Sequence, residues 1–380
     1  MKIRQFILGA VLFGAIGCSE NPNLYKDSNQ PVDKRVENLL GQMTLEEKVA
    51  QMCQYVGIKH MQNSEKHLSL EELEKNHAHG FYKDLHSSQL IKMIEDGMVG
   101  SFLHVTDLQE ANYLQTLAQK SRLQIPLLIG IDAIHGNGLC TGVTIYPTAI
   151  GQASTFEPEL VKRASQETAL EVRATGAHWA FTPNVDVARD PRWGRTGETF
   201  GEDPLLVSRM GVATVKGLQG EQADKSEHVL ACAKHLVGGG QSVNGRNCAP
   251  FDASERMLNE IFFPPFKACV DAGVYTLMAA HNELNGIPCH GNKYLLTELL
   301  RNKWHFNGFV VSDWMDVERM HSQHCTAETM EEASVMSVDA GIDMHMHGPG
   351  FMDHIIKAVK DGRISEERIH NAVRKILKAK

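Results

Sequence analysis

Short runs of apolar, often β-branched residues recur along the chain, at Gly100–Val105, Pro126–Ile131, Trp179–Val187, Val229–Ala233, Val274–Ala280, Gly308–Val311 and Gly341–Met344. Between several of them lie segments with helical spacing of apolar positions: Glu157–Thr175, Ser254–Ala272, Asn292–Asn302 and Glu328–Ala340. The first pattern predicts buried strands and the second amphipathic helices. Asp252-Ala253-Ser254-Glu255-Arg256, ahead of an apolar face, is a helix-start signal. Continuously apolar strands, each followed by a helix, predict a parallel sheet covered on both sides. Seven such units at roughly 40 residues per repeat suit an α/β fold of (β/α)8 TIM-barrel type better than an open doubly wound sheet. No confident strand pattern precedes Gly100, so an irregular first strand is expected.

The front of the chain has a different pattern. Lys2 and Arg4 precede the apolar run Phe6–Ile16, which is shorter than the ~20 residues a spanning helix needs. A positive start followed by a short apolar core predicts a secretory signal peptide. The run closes on Gly14-Ala15-Ile16-Gly17-Cys18, which resembles the bacterial lipoprotein box, where the cysteine carries lipid. The expected organisation is a lipoprotein-type signal peptide over residues 1–17, a polar tether over 18–31 and one barrel domain over 32–380. The expected location is the bacterial cell envelope (outer membrane or periplasm), with the exported chain held to the membrane through Cys18.

Composition narrows the function. Hydrophobic residues at 42% and charged ones at 22% exclude a disordered or fibrous chain. With 38 Lys and Arg against 46 Asp and Glu, the basic footprint of a nucleic-acid binder is missing. Neither GxGxxG after the first strand nor GxxxxGK[ST] occurs, so nucleotide binding has no support. Beyond Cys18, seven cysteines are scattered without a CxxC, signalling neither a zinc knuckle nor a redox pair.

The predicted strands end in chemistry. They run into Asp132, into Asn184 and Asp186, into Lys234-His235, into His281-Asn282, into Asp313-Trp314 and into His345. Barrel enzymes assemble their sites from the carboxyl ends of strands, so these side chains are expected to converge. A strand-end Asp can also do no more than cap the next helix.

Four motifs in order give the constellation a likeness. Gly130-Ile131-Asp132-Ala133-Ile134-His135-Gly136, the block PNVDVARDPRWGRTGE over 183–198, Lys234-His235, and Val311-Ser312-Asp313-Trp314 together resemble the N-terminal barrel domain of family 3 glycoside hydrolases of the bacterial β-glucosidase type, over nearly the whole chain from Val32. The resemblance implies a retaining, exo-acting β-glycosidase, releasing a terminal sugar from a β-linked oligosaccharide or glycoside without a cofactor or metal. It implies Asp313 as the nucleophile that forms a covalent glycosyl intermediate. It implies Asp132, Arg195, Lys234 and His235 as ligands of sugar hydroxyls, the cations also keeping Asp313 ionised. Trp314 is implied as an aromatic wall for a second sugar. His281, 32 residues before Asp313, stands where many relatives have an aromatic and is expected to line the site.

The general acid/base is not evident. In two-domain relatives a Glu from a following α/β sandwich domain supplies it, and the chain is expected to lack that domain. Single-domain relatives that act on N-acetylhexosaminides use a His in a PGHG loop, whereas this chain has Val237-Gly238-Gly239-Gly240. Two alternatives therefore stand beside the β-glycosidase: a barrel that binds sugar without efficient turnover, and a metal-dependent barrel hydrolase built on His345-Met346-His347, Lys234, His281 and Asp313.

Overall fold

The computed structural model describes residues 21–67, 82, 84–220 and 227–380; the signal segment and Cys18 lie outside the described residues. The strands in chain order are β1 (Cys53–Val56), β2 (Ser101–Leu103), β3 (Leu128–Ile131), β4 (Trp179–Ala180), β5 (Leu230–Leu236), β6 (Thr276–Ala279), β7 (Glu283–Leu284), β8 (Ile287–Pro288), β9 (Phe309–Val311) and β10 (His345–Met346). All but β7 and β8, which form a separate antiparallel ribbon, line up as one parallel sheet of eight in the order β10-β1-β2-β3-β4-β5-β6-β9. A bridge between Val311 and Met344, just ahead of β10, joins the two ends. The result is the (β/α)8 barrel.

Three strands depart from the expected pattern for identifiable reasons. β1 contains Gln54, which breaks an otherwise apolar run although all four residues are buried. Its amide nitrogen donates to Ser101 Oγ on β2 at 2.8 Å, a partner that the linear pattern cannot reveal. Only Trp179–Ala180 of the long run to Val187 pairs as a strand. The rest stays extended and rejoins the sheet where the Val185 amide donates to the Lys234 carbonyl at 2.7 Å. The run Gly341–Met344 is the approach to the last strand, not the strand: Gly341 caps the helix Met330–Ala340 at φ 134°, and pairing with β1 begins at His345.

Two helices sit close to their expected bounds, at Pro158–Ala174 and Met330–Ala340, and a further one, Glu366–Ala379, closes the chain. Over the expected Ser254–Ala272 helix, the turn Leu258–Phe262 is wound as a π-helix, where Pro264 and Pro265 withhold two amide donors. Among the described residues no helix is long and apolar enough to cross a membrane. Inside the barrel Trp179 packs edge-on against Phe181 and Phe309, with ring centres 4.5 and 5.1 Å apart. Five of the seven described cysteines are buried and all seven are free thiols.

The seam beside β9 is held by one buried carboxylate. Asp343 accepts from the Val310 amide at 3.0 Å, from Arg301 at 2.5 Å and from Arg368 at 3.0 Å, with Lys375 at 3.4 Å. Burial alone would raise this carboxyl, but the three cations outweigh it and bring it to about 2. Asp343→Asn would leave Arg301, Arg368 and Lys375 facing a neutral amide, and a loss of about 3–5 kcal/mol is expected, measurable by urea unfolding. Because the folded value is depressed, the contribution is present above the ordinary carboxylate range and is lost as pH falls towards about 2.

Candidate active site

The carboxyl ends of the strands open into a cleft of about 430 Å³, within the range of small-molecule sites. Its walls include His104 after β2, Asp132 and Ile134 after β3, Arg195 and Glu198 from the loop after β4, and Lys234 and His235 from β5. They also include His281 after β6, Asp313 and Trp314 after β9, and Met346 of β10. All seven barrel residues singled out from sequence thus share one cavity. Neighbouring residues of a regular strand face opposite ways, yet Lys234 and His235 both reach the cleft. The register shift between Ala233 and Leu236 breaks the alternation there. Gly238 then turns the chain away at φ 94°, where a Cβ would lie 2.1 Å from the Phe251 ring.

Other strand-end residues do not line the cleft. Asn184 and Asp186 are buried beneath it, and the Asn184 side chain accepts the Asp186 amide. Asn282 donates to the Val237 carbonyl at 3.1 Å and buttresses the turn. His345 is fully buried, stacked on Phe351 and paired with Glu318 at 2.7 Å.

Asp313 lies at the floor. Its Oδ1 accepts the Trp314 amide at 2.6 Å, while Oδ2 faces His281 Nε2 at 3.0 Å and His235 Nε2 at 3.5 Å. Burial alone would raise its carboxyl; the His281 cation first, with the Arg195 guanidinium, overcomes this and holds it well below the usual carboxylate range. The Asp313 amide donates to His290 Nε2 at 2.9 Å, which requires that nitrogen to be unprotonated. Burial pushes His290 towards this neutral form.

Of the expected cations, Arg195 acts on Asp313 as anticipated. Lys234 pairs with Asp132 at 2.6 Å, which His104 contacts from the other side at 2.8 Å. Although burial opposes it, this pairing holds Asp132 below its ordinary range. His235 receives a hydrogen bond on Nε2 from Arg195 at 3.1 Å and directs Nδ1 to Asp186 at 2.8 Å. An imidazole that accepts at one nitrogen and donates at the other is neutral. Burial and Arg195 both lower its pKa. Arg195 itself forks onto Glu198 with two contacts of 2.9 Å. The cation against Asp313 is His281: its Nδ1 meets Asp316 at 2.7 Å and its Nε2 meets Asp313. Burial would discharge it, but Asp313 and Asp316 hold its pKa well above the ordinary histidine value. Trp314 lies on the wall with its ring edge-on to His347, centres 4.1 Å apart.

His104, Asp316, His290 and Arg319 were not singled out by the sequence reading. Asp316 had a readable signal, being a second carboxylate three residues after Asp313 in the first turn of the helix Asp316–Ser322. The other three gain meaning only from tertiary contacts. Among the described residues, His281, Asp313 and Asp316 are the group whose donor atoms lie close enough for a metal, within 4.8 Å. The two nitrogens of His281 already face carboxylates, Nδ1 meeting Asp316 at 2.7 Å and Nε2 forming an ion pair with Asp313 at 3.0 Å. His345 and His347 are drawn to Glu318 and to the Tyr82 hydroxyl.

Comparison with known proteins agrees with this geometry. Residues 44–379 match the model of the glycosyl hydrolase family 3 N terminal domain. A β-xylosidase of Formosa agariphila is 36% identical over 354 residues, covering 90% of this chain and 40% of its own length. The structure of a β-glucosidase from Erythrobacter marinus superposes with a TM-score of 0.82 at 32% identity, over 93% of this chain and 46% of that one. A β-glucosidase of Listeria innocua in complex with glucose gives 0.79 at 31% identity, over 91% and 46%. The chain spans less than half the length of these relatives. With a family model covering most of its residues and a barrel of the same shape, the chain belongs to glycosyl hydrolase family 3.

Proposed function

We propose that this chain carries the nucleophile and the terminal-sugar site of a retaining, exo-acting β-glycosidase, most simply a β-glucosidase. The observation that carries the reading is Asp313, held ionised by His281 at the floor of a cleft whose rim bears Asp132, Lys234 and Arg195. A pyranose presents vicinal hydroxyls, to which Asp132 offers lone pairs while Lys234 and Arg195 offer charged donors. Each such contact is worth ~1.5–3 kcal/mol. Asp313 would attack the anomeric carbon as the aglycone oxygen leaves, and water would then release the sugar with the original configuration.

The test is labelling by a 2-deoxy-2-fluoro β-glucoside with an activated leaving group. Mass spectrometry should find one sugar on the peptide carrying Asp313. Faster labelling by the xyloside than by the glucoside would make the sugar xylose. Label on another residue, or none, would sink the assignment.

A second reading, sugar binding without efficient turnover, is favoured by a specific feature. Among the described residues the carboxyls lining the cleft are Asp132, Glu198 and Asp313, and all three are held below their ordinary values. None is suited to give a proton to a leaving oxygen. Saturable glucose binding with no label would select this reading.

We further propose that the chain is exported and tethered to the cell envelope by lipid on Cys18. The support is the order Lys2, Arg4, Phe6–Ile16, Gly17-Cys18. Cys18→Ser is expected to shift the protein from the membrane to the soluble fraction on cell fractionation. Unchanged partition would show that the cysteine carries no anchor.

A further inference from the structure

His281 stands between two buried carboxylates, and only one of them takes part in covalent chemistry. Its Nε2 faces Asp313 at 3.0 Å and its Nδ1 meets Asp316 at 2.7 Å. Asp316 is itself anchored by Arg319 at 2.5 Å and approached by His290 at 3.7 Å. The other charged or titratable groups facing His281 are Arg319, with Nη1 at 3.3 Å from Nδ1, and the neutral His235, whose ring stacks at 5.8 Å. His324 meets only the His281 carbonyl and turns its other nitrogen to Glu283. The Cys248 thiol, raised by burial, lies within electrostatic reach.

In the first half of the reaction the C1–Oδ bond forms and the aglycone leaves with its electron pair. Asp313 becomes a neutral ester, so His281 loses one counter-charge. Asp316 is untouched. In the second half the C1–Oδ bond breaks and its electron pair returns to Asp313, so negative charge grows where Nε2 already points. A cation placed there stabilises the departing carboxylate more than it stabilises the ester, which is the condition for lowering a barrier.

We propose that Asp316 and His281 form a charge-holding pair behind the nucleophile: Asp316 keeps the proton on His281 through the covalent intermediate, and that cation draws the Asp313 carboxylate off the sugar. His281 is in this sense a positioning residue that acts through Asp313, and the inference rests on Asp313 being the nucleophile.

The experiment separates the two claims. The 380-residue chain is labelled with the fluorinated glucoside, freed of reagent and reactivated in azide at about pH 5 to 9. Azide needs no general base; it bonds to C1, the electron pair returns to Asp313, and a glucosyl azide leaves. The unmutated chain should reactivate at a steady rate at low pH and more slowly once His281 loses its proton. Asp316→Asn should move that decline to lower pH. His281→Gln should abolish it and slow reactivation roughly 10- to 100-fold at low pH. His281→Tyr, which restores a neutral donor, should recover part of the rate without the decline. Reactivation of the labelled His281→Gln, His281→Tyr and Asp316→Asn chains with the rate and pH profile of the unmutated one would overturn the inference while leaving the nucleophile in place. Failure of the unmutated chain to take label on Asp313 would remove both.

Discussion

Replacing Asp313 by Asn is expected to cut turnover of an aryl β-glucoside by at least about 10³-fold while glucose still binds. The substitution is close to isosteric, and the backbone contacts from Asp313 to His290 and from Trp314 to the side-chain oxygen can persist. What disappears is the lone pair that attacks C1 and the charge that His281 faces. The proposed sugar ligands Asp132, Lys234 and Arg195 keep their own partners, Lys234 with Asp132 and Arg195 with Glu198, when Asp313 is changed. The loss should therefore fall on kcat, with little change in the glucose dissociation constant measured by calorimetry. Asp313→Gly supplies the stereochemical check. Azide entering the vacated space would attack from the face that Asp313 occupied and give an α-glucosyl azide. A β-glucosyl azide, or an Asn variant that keeps most of its activity, would place the nucleophile elsewhere.

The parts of this site that were legible in the sequence share a physical feature. Asp132 follows directly on β3, Lys234 and His235 lie near the end of β5, and Asp313 and Trp314 come just after β9, so their direction into the cleft is set by the barrel itself. What each side chain does once there is set by partners distant in sequence. Lys234 reads as a cation for the nucleophile, but Asp132, 102 residues away, takes its charge. His235 reads as a charged donor, but Arg195 occupies its acceptor and leaves it neutral. His281 reads as a wall residue because its two carboxylates come from another βα unit. The fold shows the same division. Six strands stand out as apolar runs and a seventh run leads into β10, whereas β1 is hidden by Gln54, whose amide nitrogen is met by Ser101 on the next strand. Direction could be read along the chain; protonation and pairing could not.

That division bears on the step for which this cleft is least equipped, protonation of the leaving oxygen. A general acid needs a pKa near the working pH, and a carboxyl reaches it through burial without a cationic partner. Glu198 is the one cleft carboxylate with a length and position that invite the role. Its two oxygens are both engaged by Arg195, which more than offsets the effect of burial and keeps it ionised. Asp132 is held in the same way by Lys234 and His104. The His281 cation is committed to Asp313 and Asp316. The 380-residue chain should therefore favour substrates whose aglycone leaves unaided. General acid assistance is worth ~10²–10⁴-fold, and a deficit of that order is expected for cellobiose relative to a dinitrophenyl β-glucoside. Across a series of aryl glucosides, log kcat/KM should fall steeply as the pKa of the phenol rises. Arg195→Met makes the reasoning specific, because freeing Glu198 from its cation should raise its pKa and flatten that slope, even as sugar binding weakens. A shallow slope in the unmutated chain, with brisk cellobiose hydrolysis, would mean that a proton donor already operates in this cleft and that the Arg195–Glu198 pair does not block it.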